Sequence, residues 1–495
     1  MICIIGSGFS GLSAAAYLAA EGHAVHVYEK NGTVGGRARQ FETDSGYTFD
    51  MGPSWYWMPD IYEDFFNDFG YTASDFYDLT LLDPAFEMVF PHDALEIPSG
   101  YSNLRHLFES VEEGGAEKLA KFMQKAEYKY NKGMKELAYM PGFSLTEFAD
   151  ISLIKNAFQL QIFSSFSKHV KKYFSDPRLI ALMEFPVLFL GATPRETPAL
   201  YSLMNYAGLK LGTWYPKGGF GSVAKAMKQT ALNEGVTFHY NEPVDQINIK
   251  NSRAESIIVG NSKVPCDAVV ASADYHYVES KLLDAEYRNY DEAYWKKKTL
   301  APSGLIYYLG LSKKIDSLHH HTLFFDEDLE LHSKDIYENP QWPDNPLFYV
   351  CSPSQTDESV APEGHENLFL LMPLAPGLED TAIRREKYFR LMLKRIEKHL
   401  ETDLQSHIDY KRSYCIDDFK ADYHSYKGNA YGLANTLMQT AIMKPKLKNK
   451  KVGNLFYAGQ LTVPGPGVPP AIISGKIAAE QLLQTLNSTN YEAVV

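Results

Sequence analysis

The sequence predicts an α/β fold, in which a sheet is assembled from distant segments with two large insertions between them. Three observations carry that expectation. The chain opens on an apolar strand that runs directly into a glycine-rich turn and a helix. Apolar strand segments return near residues 244, 268 and 455. Between them the pattern changes, first to a long helical stretch and then to a mix of strands and helices. At 495 residues, 45% hydrophobic and 22% charged, the composition suits a globular chain of two or three domains.

Ile2, Cys3, Ile4 and Ile5 form an apolar run typical of a strand buried on both faces. Gly6-Ser7-Gly8-Phe9-Ser10-Gly11 follows without a spacer. Residues 12–21 are rich in Ala and Leu and read as a helix ending at Gly22. Residues 24–28 read as a second strand with Glu29 at its end. Each part has a physical job in a Rossmann-like unit. Gly6 permits the tight turn, Gly8 lets a pyrophosphate approach the backbone, and Gly11 lets the helix pack closely on the strand. Phe9 and Ser10 open the helix, whose free N–H groups and positive dipole end favour a diphosphate. Glu29 lies 18 residues past Gly11, placed for ribose hydroxyls, with Lys30 beside it. A carboxylate there disfavours a 2′-phosphate. The competing reading, a glycine turn in an unrelated α/β unit, leaves the acid to chance.

Val34-Gly35-Gly36-Arg37-Ala38-Arg39 follows the acid closely. Two glycines beside Arg37 offer backbone amides and a guanidinium for a second approach to a diphosphate. FAD needs that and a simple NAD dehydrogenase does not, so the expected cofactor is FAD. A flexible loop with solvated arginines is the bland alternative. Near the C-terminus, residues 455–458 read as a short buried strand, Gly459 allows close backbone approach, and residues 471–483 read as a helix after a proline-stiffened turn. A second helix N-terminus near Gly467, Val468 and Pro469 could stabilise negative charge on reduced flavin. A proline-rich turn that merely caps the last helix is the competing reading.

GSGFSG, Glu29, VGGRAR and FDMGPSWYWMP together resemble the phytoene desaturase family of carotenoid desaturases, within the amine-oxidase-like FAD flavoproteins. TWYPKGG at 213–219, Glu242-Pro243-Val244, DAVVASAD at 267–274, NLFYAGQ at 454–460 and PGPGVP at 464–469 extend the resemblance to about Gly475. Many flavoproteins share the N-terminal motif; the PGPGVP element is more particular to carotenoid desaturases. The resemblance implies further cofactor contacts at Gly52, Pro53, Ser54 and Val244. It implies a lipophilic carotenoid substrate, with oxygen or a membrane quinone as electron acceptor. The expected activity is phytoene desaturation, taking C40 phytoene toward lycopene. A hydroxycarotenoid 3,4-desaturase or a dehydrosqualene-type desaturase stays open within the family. A flavin amine oxidase and a non-catalytic FAD-binding escort protein stand outside it. Trp55, Tyr56 and Trp57 are candidates for shaping the substrate channel or for packing beneath the cofactor. Glu184, Phe185 and Phe189 are candidates for lining a tunnel. No catalytic acid or base is identified.

The expected architecture is a discontinuous Rossmann-like FAD-binding domain over 1–90, 210–290 and 440–490. A mainly helical region for substrate or membrane association spans 105–200, and a mixed α/β substrate region spans 300–435. A net charge of −13 argues against a nucleic-acid partner. Four dispersed cysteines suggest neither a disulfide framework nor a metal site, and point to a reducing compartment. The first residues carry no secretory pattern and no run reaches 18 apolar residues, so a cytoplasmic protein is expected. Residues 151–174 carry four lysines and no acid, with Ile154, Phe158, Ile162, Phe163, Phe166, Val170 and Phe174 at helical spacing. Such a helix is a candidate for the inner face of a membrane, or else faces a core. His319-His320-His321 reads as a solvated loop, not a metal site.

Overall fold

The computed structural model describes residues 1–142, 160–162, 164–436 and 439–494, without the side chains at 189, 190, 441 and 489–494. A five-stranded sheet stands at the base of the nucleotide-binding half. Its strands run in the order Leu455–Tyr457, Ala268–Ala271, Ile2–Ile5, Val25–Glu29 and Thr237–Tyr240, all parallel. The first three are short apolar runs, as strands covered on both faces must be. The fifth, Thr237–Tyr240, has no fully buried residue and forms an edge.

Alternation along the strands separates two cores. Ile2, Ile4, Val27, Ala268 and Val270 pack in the core that holds the helices Phe9–Ala20, Phe220–Asn233 and Val468–Val494. Cys3, Ile5, Val269 and Ala271 face the other way, onto Ile247 and Ile257 of an antiparallel meander. That meander comprises Val244–Lys250, Arg253–Val259 and Ser262–Pro265. Of the three returning segments, Ala268–Ala271 and Leu455–Tyr457 join the parallel sheet, whereas the one at Val244 opens the meander.

The C-terminal helix begins at Val468, three residues before the sequence pattern suggests. Pro469 and Pro470 fall in its first turn, where a missing N–H removes no helical hydrogen bond. This helix lies against Phe9–Ala20, and the approach is backbone to backbone. A Cβ on Gly475 would sit 2.3 Å from the carbonyl oxygen of Ser10. Ser13 Oγ donates to the carbonyl of Ile472 at 2.7 Å.

A seven-stranded sheet forms the second half. Its order is Ile408–Tyr414, Ser303–Leu311, Glu366–Leu374, Phe348–Cys351, His321–Phe324, Phe86–Val89 and Ala94–Ile97. Pairing is antiparallel except between His321–Phe324 and Phe86–Val89. Leu305, Tyr307 and Leu309 face the helix Ala382–Leu400, while Ile306 and Tyr308 face the nucleotide-binding half. Phe86–Val89 lies inside the expected 1–90 segment yet pairs in this sheet, because a four-residue strand does not encode its partner.

The helical insertion contains Tyr101–Val111, Gly115–Lys135 and Pro177–Glu184. Within the basic stretch 151–174, residues 151–159 and 163 lie outside the described residues. In the remainder, Phe166, Val170 and Phe174 are buried, and Phe174 packs on Phe108 and Phe122. Lys168, Lys171 and Lys172 are exposed. The apolar face of this part is therefore core. No described helix is long and apolar enough to cross a membrane. The histidine run also departs from expectation. His319 is partly exposed and pairs with Glu96 at 3.4 Å, but His320 and His321 are buried where the strand His321–Phe324 begins.

Replacing Gly475 with Ala should push the C-terminal helix off Phe9–Ala20. The expected loss is about 1–3 kcal/mol, as for other overpacked interiors. Thermal unfolding followed by flavin fluorescence should show a lowered midpoint; an unchanged midpoint contradicts the packing argument.

Candidate active site

A cavity with about 1680 Å³ of empty space runs from the C-terminal ends of the parallel strands to the inner face of the seven-stranded sheet. Gly6, Gly8, Phe9 and Ser10 line it, as do Glu29, Lys30, Gly36 and Arg37. Gly52, Pro53, Val244, Gly459, Gly467 and Val468 line it as well. Three expected contacts do not. Gly11 packs beneath the turn, where a Cβ would lie 2.1 Å from the carbonyl oxygen of Gly6. Ser54 borders a smaller neighbouring cavity, and Pro469 lines none of the cavities described.

Glu29 is almost fully buried, and its carboxylate organises both flanking loops. The Ser7 N–H and hydroxyl donate to Oε2 at 2.8 Å, and the Asn31 N–H donates to Oε1 at 2.9 Å. Of the glycine pair, Gly35 plays a different part from the one its sequence suggests, while Gly36 lines the cavity as expected. Gly35 donates its N–H to the carbonyl of Ser7 at 2.9 Å, so that amide is already used. Gly36, at φ 55°, sits so close to Gly8 that a Cβ on it would lie 3.0 Å from the Gly8 Cα. The pair thus clamps the nucleotide turn and leaves Arg37 as the cationic group. The Arg37 guanidinium is buried, lies over the Tyr423 ring at 5.2 Å, and donates to Ser425 Oγ at 3.2 Å. Its Nε has no hydrogen-bond partner among the described residues. A buried cation with an unused donor beside a helix N-terminus lacking a capping side chain is a site for a diphosphate.

Several lining groups escaped sequence reasoning. Phe419, Asp422, Tyr423 and His424 come from the helix Ile416–Tyr423 and its end, in the second insertion. Asp422 pairs with Arg39 at 2.6 Å, and the carbonyl of Ala421 accepts from Lys30 Nζ at 2.5 Å. Asp274 is also buried in the wall, and burial pushes its carboxyl above the usual range despite nearby Arg37. Only the DAVVASAD motif hinted at it.

At the far end, Ser303, Leu371 and Tyr431 belong to this cavity and to a second one with about 680 Å³ of empty space. Phe185, Leu188, Leu323, Phe325 and Ile336 line the second cavity. Among the described residues no carboxylate does, and its histidine is locked. His332 Nδ1 accepts from the Leu347 N–H at 2.9 Å while Nε2 donates to the Pro373 carbonyl at 3.0 Å. Burial lowers its pKa to about 4, so the ring is neutral at physiological pH. Trp55, Tyr56 and Trp57 line none of the cavities described. Trp55 stacks on His321 at 4.1 Å, Tyr56 bonds the Tyr77 hydroxyl at 2.8 Å, and Trp57 donates to Thr213 at 2.9 Å. Trp55 thus packs on the seven-stranded sheet, Tyr56 on Tyr62 and Phe220, and Trp57 against Gly208. Glu184 is buried just outside the second cavity, with burial raising its carboxyl, and the Phe189 side chain lies outside the described residues.

Residues 9–483 match the model of the flavin containing amine oxidoreductase family. The chain is 39% identical over 491 residues to a carotenoid 3,4-desaturase from Haloarcula japonica, covering 98% of both chains. It is 31% identical over 490 residues to a zeta-carotene-forming phytoene desaturase from Myxococcus xanthus, covering 97% of this chain and 93% of the relative. The chain belongs to the carotenoid desaturase family of flavin oxidoreductases. A solved putrescine oxidase shares the fold at a TM-score of 0.63, with 13% identity and 98% of each chain covered.

As a member of this family the chain is an FAD-dependent oxidoreductase. The donor set fits that cofactor. Glu29 could hold the ribose, Arg37 and the first turn of Phe9–Ala20 the diphosphate, and the Gly52-Pro53 and Gly467-Val468 segments the flavin end. Replacing Arg37 with Met should weaken FAD binding about 10- to 100-fold, matching roughly 1.5–3 kcal/mol for a charged hydrogen bond. Titration of the apoprotein with FAD, read by quenching of flavin fluorescence, checks this.

Proposed function

We propose that this chain desaturates the end of an acyclic C40 carotenoid at its 3,4 position. The observation that carries the reading is the mostly apolar, uncharged cavity that meets the cofactor cavity at Ser303, Leu371 and Tyr431. A hydrocarbon end can enter it without stranding a polar group, whereas an amine would meet no carboxylate there. The choice of position follows the Haloarcula relative, at 39% identity against 31% for the phytoene desaturase. Conversion of phytoene toward lycopene is the second reading, supported by the Myxococcus relative.

FAD, when bound, supplies a hydride acceptor. The residues of the chain do the rest. Phe185, Leu323, Phe325 and Ile336 hold the hydrocarbon and exclude water. Positive charge left by hydride loss spreads over the substrate's own conjugated double bonds, and the neighbouring carbon then loses its proton toward the polar cofactor cavity to complete the new double bond, so a strong base beside it is not required. Neutral His332, with both ring nitrogens engaged, leaves the cavity uncharged. The substrate dissolves in lipid, which supports peripheral work at the inner membrane face, with oxygen or a membrane quinone as acceptor.

Purified FAD-loaded protein in liposomes should lengthen the chromophore of a monohydroxylated acyclic carotenoid by one double bond and leave phytoene colourless. Conversion of phytoene alone would install the second reading. Conversion of neither, with FAD bound, would sink both. Leu188→Trp, which fills the second cavity, should lower turnover about 10- to 100-fold without changing FAD content, since small misplacements near the reacting bond are costly.

A further inference from the structure

Beside the two cavities lies a third, with about 370 Å³ of empty space, in which His320 and Cys351 face the Gly52-Pro53-Ser54 segment. His320, His321 and Cys351 are all buried, and one ring nitrogen of each histidine and the Cys351 sulfur lie within 4.8 Å of one another. The strands explain the meeting. His321 and Cys351 are register partners on adjacent antiparallel strands, so their side chains share a face. His320 precedes the strand and escapes its alternation, which brings the two imidazoles edge to face at 4.5 Å.

The hydrogen bonds around the rings are one-sided. Nδ1 of His320 lies 2.7 Å from Thr356 Oγ1. The Tyr349 hydroxyl donates to Ser54 Oγ at 2.9 Å, so it accepts from Nδ1 of His321 at 2.6 Å. The proton of His321 is thereby fixed on Nδ1, and its Nε2 presents a bare lone pair. Neither His320 nor His321 has an Nε2 partner among the described residues. Leaving two such atoms buried and unused is costly in a folded chain. Imidazoles held at one nitrogen by a hydroxyl and free at the other are how proteins present metal ligands.

We propose that His320, His321 and Cys351 bind a zinc ion, with the fourth position open to water in the third cavity. The donor set of two imidazoles and one thiolate selects a borderline-soft divalent ion over magnesium or calcium. Tetrahedral zinc, with bonds of about 2.0 Å to nitrogen and 2.3 Å to sulfur, draws the three ligand atoms closer together. The Cys351 thiol gives up its proton to solvent as the Zn–S bond forms, and no electrons move. The ion would fasten the ends of two inner strands of the seven-stranded sheet beside Gly52-Pro53, which also lines the cofactor cavity. None of these three ligands touches the apolar cavity, so the site is distinct from the proposed chemistry.

The test uses the full FAD-loaded chain, stripped of metal with a chelator and titrated with cobalt(II), then zinc. Expected are one cobalt per chain, tetrahedral d–d bands to the red of flavin absorption, and their loss when zinc displaces cobalt. Cys351→Ser and His320→Gln should abolish the bands while retaining FAD. Should either variant lose FAD, zinc X-ray absorption on the unaltered chain reads the ligands directly, with nitrogen near 2.0 Å and one sulfur near 2.3 Å. Absence of tetrahedral cobalt at saturation, bands that persist in both folded variants, or a zinc shell without sulfur would each overturn the proposal.

Discussion

The near-contact of two helices, Phe9–Ala20 and Val468–Val494, is the constraint on which the cofactor cavity depends. Gly475 admits the Ser10 carbonyl at a distance no side chain could tolerate, and Gly11 does the same for the carbonyl of Gly6. Strand, nucleotide helix and C-terminal helix are thereby locked into one layered unit. The chain's two ends meet there, and the segments that line the cavity from opposite sides, Gly8-Phe9-Ser10 and Gly459 with Gly467-Val468, are held in register by that packing. Any residue larger than glycine at these points moves a cavity wall.

The cavity system is graded in polarity along its length. The nucleotide end holds Glu29, Arg37, Asp274 and Asp422, all engaged in hydrogen bonds or ion pairs, whereas the far end opens onto aliphatic and aromatic side chains. The grading follows from which sheet supplies the wall. The parallel sheet delivers strand ends and helix N-termini, which favour anions. The seven-stranded sheet delivers alternating apolar side chains from strand interiors. Ser303 and Leu371 sit where the two regimes meet.

Much of the nucleotide end was legible in the sequence, because a βαβ unit is local: Gly6, Gly8, Gly11 and Glu29 lie within thirty residues, and each spacing has one mechanical meaning. The C-terminal element was legible for the same reason. What escaped were groups carried in by long-range packing. Asp422, Tyr423 and His424 arrive from the second insertion, and no local pattern announces that the helix Ile416–Tyr423 folds over the cofactor cavity. The Trp55-Tyr56-Trp57 run drew attention by composition, yet its rings pack on protein side chains, since an aromatic cluster looks alike whether it faces a ligand or a neighbouring element.

The histidine run shows the division most plainly. Its sequence, between a polar segment and an apolar strand, gives no sign of whether the rings are wet. Burial of His320 and His321 depends on where the strand begins and on the pairing of His321 with Cys351, thirty residues away. By itself the sequence determined the nucleotide turn, the acid at the second strand's end, and the family, since these rest on contiguous residues whose backbone geometry is locally enforced. Only the tertiary structure decided which sheet each short strand joins, which aromatics line the cavities, and which polar atoms are left without partners, because those depend on contacts between residues that no spacing in the chain relates.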